Sequence, residues 1–135
     1  MVFKEKAKIV CSPSKIVANI LNPSFIHFYR FLAYKEFPNL KYGLSLPKHG
    51  PHITIARTPL EKYDKEKAQK YHNLEVDFFY DPTKIYIGGF AKNFVGFYVK
   101  IHSETLEKIR ENILLEEPQS TLHLSLFSTK NNSIK

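Results

Sequence analysis

Apolar and polar residues alternate with period two along several short stretches of this chain and with helical spacing along two longer ones, so the pattern predicts a mixture of strands and helices. Residues 7–11 read as a strand, and after a Ser12-Pro13-Ser14 turn residues 15–21 read as its partner. Asn22-Pro23-Ser24 has the form of a helix start, with Asn22 as cap and Pro23 at the first helical position. Phe25, Ile26, Phe28, Tyr29, Leu32 and Ala33 supply that helix with an apolar face, and Pro38-Asn39 ends it. A loop containing Tyr42-Gly43 and Lys48-His49-Gly50-Pro51 leads to a strand at 52–56.

The charged segment 59–71 reads as helical, and strands follow at 74–80, 84–88 and 94–101. In the last of these Val95, Phe97, Val99 and Ile101 form a core face, leaving Gly96, Tyr98 and Lys100 opposite, just as Lys84 and Tyr86 oppose Ile85 and Ile87. Ser103 caps a second helix with Leu106, Ile109 and Ile113 on one side and a Glu104–Lys108 pair at i, i+4 on its surface. After the loop 116–120 comes a final strand at 121–128, and the polar residues 129–135 are expected to fray. Each half thus offers a strand and a helix followed by a further strand, a loose internal repeat with little residue identity.

The 135 residues fit one domain, 1–135, with a real core, and 43% hydrophobic residues exclude a disordered chain. A net charge of +7 draws anions, so nucleotides, RNA and other phosphate esters are natural partners, although surface lysines also serve solubility. Cys11 is the single cysteine, which rules out an intramolecular disulfide and a cysteine metal cluster. The first residues lack a signal-peptide core and no run approaches the ~18 apolar residues of a spanning helix, so a cytoplasmic protein is expected.

The strand at 52–56 puts His52 and Thr54 on one face and Ile53 and Ile55 on the other. The same rule groups Thr121, His123, Ser125 and Phe127 against Leu122, Leu124 and Leu126. Both tetrapeptides, His52-Ile53-Thr54-Ile55 and His123-Leu124-Ser125-Leu126, have the form histidine, aliphatic, hydroxyl, aliphatic. Hydrolysis of a phosphodiester needs one proton removed from the attacking oxygen and another delivered to the departing one, and two near-neutral imidazoles can do both. Hydroxyls such as Thr54 and Ser125 can hold the phosphate oxygens as charge develops.

In these two motifs the chain resembles the 2H phosphoesterase superfamily, whose signature is a pair of His-x-Thr/Ser strands in a bilobed fold. The resemblance implies an α+β fold of two antiparallel-rich sheets flanking a groove, with helices on the outer faces. It implies His52 and His123 as the catalytic pair, Thr54 and Ser125 as the phosphate-binding hydroxyls, and no metal or organic cofactor. Ser125 stands where many relatives have Thr, which keeps the hydroxyl. Small size and short spacing resemble the compact phage-encoded branch, which includes anti-CBASS nucleases that destroy cyclic oligonucleotide signals, and host cytoplasm would then be the location.

Beyond the motifs, Tyr86 and Tyr98 are candidate base-stacking residues, and Lys48, in the loop before the first motif, is a candidate phosphate contact. Of the six histidines, His27, His49, His72 and His102 read as ordinary surface residues, and no zinc-binding spacing is present. The expected partner is a cyclic nucleotide, oligonucleotide or RNA, with no membrane and no obligate protein partner. RNA 2',3'-cyclic phosphate ends and 2',5'-oligoadenylate are alternative substrates, and a non-catalytic RNA- or nucleotide-binding module is the alternative of another class.

Overall fold

The computed structural model describes residues 2–22, 24, 26–38, 43–47, 50–88 and 94–130. Its first two strands, β1 (Phe3–Ser12) and β2 (Lys15–Ile20), pair antiparallel from Ala7↔Ile20 to Ser12↔Lys15 around the expected turn. Asn22 Oδ1 then accepts hydrogen bonds from the Ser24 amide (3.2 Å) and hydroxyl (2.6 Å), turning the chain toward α1 (Ile26–Glu36). Pro23, Phe25 and Asn39 lie outside the described residues. Helix α1 buries Ile26, Tyr29, Leu32 and Ala33. Phe28, expected on that face, is 45% exposed, at the edge of the buried stripe with its ring 5.3 Å from that of Tyr29.

Strand β3 (His52–Arg57) follows. Of the helix expected over 59–71, only α2 (Lys65–Gln69) forms, with Asp64 capping the Lys67 amide at 3.1 Å. The residues ahead of it are held elsewhere: Glu61 is buried and Tyr63 bridges to Leu114. Next come β4 (Glu75–Tyr80) and β5 (Tyr86–Gly88). Lys84 and Ile85 are not in β5, because Asp81 accepts from the Thr83 amide and hydroxyl and makes a turn there.

Strand β6 (Phe94–His102) leads into α3 (Glu104–Ile113), where Ser103 caps as expected by accepting from the Leu106 amide at 3.2 Å. The Glu104–Lys108 pair is not among the ion pairs of the described residues. Strand β7 runs over His123–Lys130, starting later and ending later than the alternation predicts. Thr129 and Lys130, expected to fray, pair with Val95 and Phe94, and Thr129 is 3% exposed.

The protein is α+β, and hydrogen bonds join its strands into one seven-stranded antiparallel sheet in the order β4-β1-β2-β3-β7-β6-β5. The sequence reading expects two sheets. They are joined because the motif strands pair directly, His52↔Ser125 and Ile53↔Leu124. A second seam, Phe79↔His102 and Tyr80↔Ile101, links β4 to β6 and curls the sheet on itself. The two halves, β1-β2-α1-β3 and β5-β6-α3-β7, have the same element order, with α2 and β4 between them.

On one face the register aligns Ala18, Ile53, Leu124 and Val99 across four strands, each at most 1% exposed. Tyr29 of α1 and Leu106, Ile109 and Ile113 of α3 complete this core. Truncating one such side chain, for example Leu124→Ala, typically costs about 2–5 kcal/mol.

A β-bulge follows each motif at the same place. Against β2 the pairing shifts from Val17↔Thr54 to Ile16↔Ala56, so Ile55 is the extra residue. Against β6 it shifts from Tyr98↔Ser125 to Phe97↔Phe127, so Leu126 is extra. Two consecutive side chains therefore turn to the core: Ile55 and Ala56 are fully buried, as are Leu126 and, at 3%, Phe127. This removes Phe127 from the face of His123 and Ser125, where simple alternation puts it.

Candidate active site

The face opposite the core carries the polar residues in rows set by the strand register. One row reads Asn19, His52, Ser125, Tyr98, Tyr86 across β2, β3, β7, β6 and β5. In the next, Val17 pairs with Thr54 and Lys100 with His123. Continuing the β3–β7 register by one step sets Thr54 opposite His123. The four motif residues thus form a two-by-two array in which each histidine is across from the other motif's hydroxyl. Directly opposed side chains have Cβ atoms roughly 5 Å apart and diagonal ones roughly 7 Å, so the histidines occupy one diagonal and the hydroxyls the other. All four are half-buried.

Both imidazoles are held in the same way. His52 Nδ1 lies 2.9 Å from the Gly50 carbonyl and His123 Nδ1 lies 3.1 Å from the Thr121 carbonyl, in each case two residues back. A carbonyl oxygen only accepts, so these contacts require the proton on Nδ1 and put the neutral ring's lone pair on Nε2. Gly50 takes φ of +84°, a left-handed conformation that glycine adopts without a side-chain clash, and from it presents its carbonyl to His52.

A cavity of about 420 Å³ opens on the β6–β7 side, lined by Gly88, Gly96, Tyr98, Thr121, His123 and Ser125 among others. Gly88 and Gly96 are cross-strand partners. A Cβ on Gly88 would stand 3.2 Å from the Tyr98 ring and one on Gly96 would stand 3.2 Å from the Gly88 carbonyl. The two glycines in the cavity wall therefore permit close approach, of the Tyr98 ring to Gly88 and of the Gly88 carbonyl to Gly96.

Tyr98 and Tyr86 stack at 5.6 Å between centroids, the His123 and Tyr98 rings meet in an edge-type contact with centroids 5.1 Å apart, and Lys100 Nζ lies 4.5 Å from the Tyr86 ring centre. The structure thus brings Tyr86 and Tyr98 beside the motifs, while Lys48 and His49 lie outside the described residues. His72 does structural duty, accepting from the Cys11 amide at 3.0 Å. Among the described residues no three His, Cys, Asp or Glu side chains gather into a metal-binding group. No helix among them is long and apolar enough to cross a membrane.

Two contributors escaped the sequence. Asn19 is the cross-strand neighbour of His52, and its buried Oδ1 has no hydrogen-bond partner among the described residues. The Gly88–Gly96 pair shapes the cavity. Both depend on strand register, which no local motif encodes. Comparison of the chain with protein-family models, curated proteins and solved structures returns no match.

Proposed function

We propose that this protein is a metal-independent phosphodiesterase that uses His52 and His123 as a general acid and base pair. The observation that carries the reading is the two-by-two array: two histidines with Nδ1 tied to backbone carbonyls, diagonal to each other, and two hydroxyls on the other diagonal. One Nε2 takes the proton from the attacking oxygen, a water or a neighbouring 2'-hydroxyl. The other, protonated beforehand, gives its proton to the departing oxygen as the P–O bond breaks, and the pair ends with its two protonation states exchanged. Thr54 and Ser125 hydrogen-bond the non-bridging oxygens, which carry the charge.

In this reading the two repeated halves are the two lobes of a 2H phosphoesterase-like fold, and the array sits in the groove at their shared seam. The net charge of +7 favours an anionic substrate in cytoplasm, its own or a host's. The favoured class is a small cyclic oligonucleotide of the kind that phage anti-CBASS nucleases destroy. The neighbouring cavity, with Tyr98 in its wall and Tyr86 stacked on Tyr98, suits a base-bearing ligand over a simple phosphate ester.

The deciding experiment incubates the protein, with strong chelator present, against cyclic dinucleotides, cyclic trinucleotides, 2',5'-oligoadenylate and RNA with 2',3'-cyclic phosphate ends. Cleavage of cyclic oligonucleotides supports the full reading, and cleavage of either of the last two moves the substrate class. Turnover that is lost in chelator and restored by zinc or manganese overturns the mechanism. Tight binding without cleavage favours a nucleotide-binding module.

A further inference from the structure

On the core side of the motifs one ion pair is closed off from water. The side chains of Arg110 and Glu61 are each 3% exposed, with Nη2 and Oε2 3.1 Å apart. Exchanging such a pair for apolar residues is often neutral or stabilising, so stability alone gives no reason for a guanidinium here. Its other contacts do. Arg110 Nε donates to the Ile55 carbonyl at 3.1 Å, and Nη2 donates also to the Ser120 carbonyl. Glu61 Oε2 accepts in addition from the Gln119 amide at 3.0 Å.

Ile55 is the extra residue of the β3 bulge, where the ladder to β2 is interrupted, and it adjoins Thr54. Ser120 adjoins Thr121, whose carbonyl fixes the His123 ring. A single side chain therefore grips the backbone just after one motif's hydroxyl and just before the other motif's histidine. A planar guanidinium donates in several fixed directions at once, which a lysine ammonium on a flexible stem does not reproduce.

We infer that Arg110, with Glu61, is a positioning residue that holds the two motifs in mutual register from behind. It touches no substrate. It fixes the segments that carry Thr54 and His123, adding a tie from behind to the register that the β3–β7 pairing sets. The inference rests on the phosphodiesterase reading for its kinetic consequence and on the contacts alone for its geometric one.

The test compares the full-length wild type with Arg110→Lys, which keeps the charge and loses the fork, and with Glu61→Leu/Arg110→Met, which removes both charges together. Thermal unfolding, kcat and KM on whichever substrate the wild type cleaves, and ring proton and carbon NMR signals of His52 and His123 are recorded for each. The expected result is a folded protein with KM close to wild type, kcat lower by roughly 10- to 100-fold, as misplacement by about an ångström produces, and displaced His123 signals. Should one variant fail to fold, the other decides. Folded variants with wild-type kcat and unmoved ring signals overturn the inference, and so does loss of folding in both, which makes the pair purely structural. Should the wild type cleave nothing, the functional reading fails separately, and the ring signals of folded Arg110→Lys decide the positioning role.

Discussion

His52 is the direct cross-strand partner of Ser125, so the histidine of one motif faces the hydroxyl of the other across the central pair of strands. Neither motif is a site by itself. The array exists because β3 and β7, far apart in sequence, are hydrogen-bonded neighbours with both polar faces on the same side.

Replacing either histidine by alanine should lower kcat by ~10² to 10⁴-fold, the usual range for a lost general acid or base. The melting temperature should change little, because both side chains are half-buried on the polar face of the sheet and outside the hydrophobic core. The wild-type rate profile should be bell-shaped in pH, since one imidazole must be neutral while the other is protonated. Steady-state kinetics with parallel thermal melts check this; a double histidine variant with wild-type turnover rules the assignment out.

Thr54→Ala and Ser125→Ala should each cost less than a histidine variant and act partly through KM, because other donors remain on the phosphate. The expected loss in kcat/KM is about 10-fold, equivalent to roughly 1.4 kcal/mol. Kinetic comparison with the Thr54→Ser variant, which keeps the hydroxyl, separates its loss from altered packing.

Asn19→Ala should weaken substrate turnover without weakening the fold. The buried Oδ1 has no partner among the described residues, so its removal relieves a desolvation cost of order 1 kcal/mol, while any hydrogen bond it makes to substrate beside His52 is lost. An unchanged or higher melting temperature together with reduced kcat/KM is the expected pair of results.

Gly88→Val should discriminate between substrates by size. A Cβ there would stand 3.2 Å from Tyr98, so a larger side chain displaces a ring that lines the cavity. Cleavage of nucleotide substrates should fall by an order of magnitude or more, while a small chromogenic phosphodiester that needs only the array should be far less affected. Equal losses on both would show that the cavity does not hold the nucleotide.

Stability should fall at alkaline pH through Tyr29. Burial chiefly, with Tyr80 and Asp81 nearby, pushes its hydroxyl far above the ordinary value. Because the folded pKa is raised, its contribution is complete below the unfolded value of about 10 and is lost progressively as pH rises beyond it. Denaturant titrations between about pH 8 and 11 should show this slope in the wild type and a shallower one in Tyr29→Phe.

The hairpin, the Ser103 cap, the α3 core face and both motifs were legible because each depends on neighbours a few residues apart. Period-two alternation puts Phe127 on the wrong face because it carries straight across a bulge. Only the consecutive apolar pairs Ile55-Ala56 and Leu126-Phe127 hint that an extra residue is present. Thr129 and Lys130 read as tail because their polarity carries no sign of the strand β6 that pairs with them. Arg110 and Glu61 carry no local sign of burial, since their burial depends on each other and on a loop ten residues beyond Arg110.

The paired bulges lead to a distinction between burial and curvature. Without Ile55, Thr54 would be followed directly by Ala56, still opposite Ile16; without Leu126, Ser125 would be followed by Phe127, still opposite Phe97. Every remaining side chain would keep its face, so neither extra residue is needed for the inside-outside pattern. What each supplies is a bend and added twist immediately after a motif. In that sense one inserted residue per half sets the contour of the sheet around the array, and a single-codon deletion would flatten it while leaving the residues of the array in place.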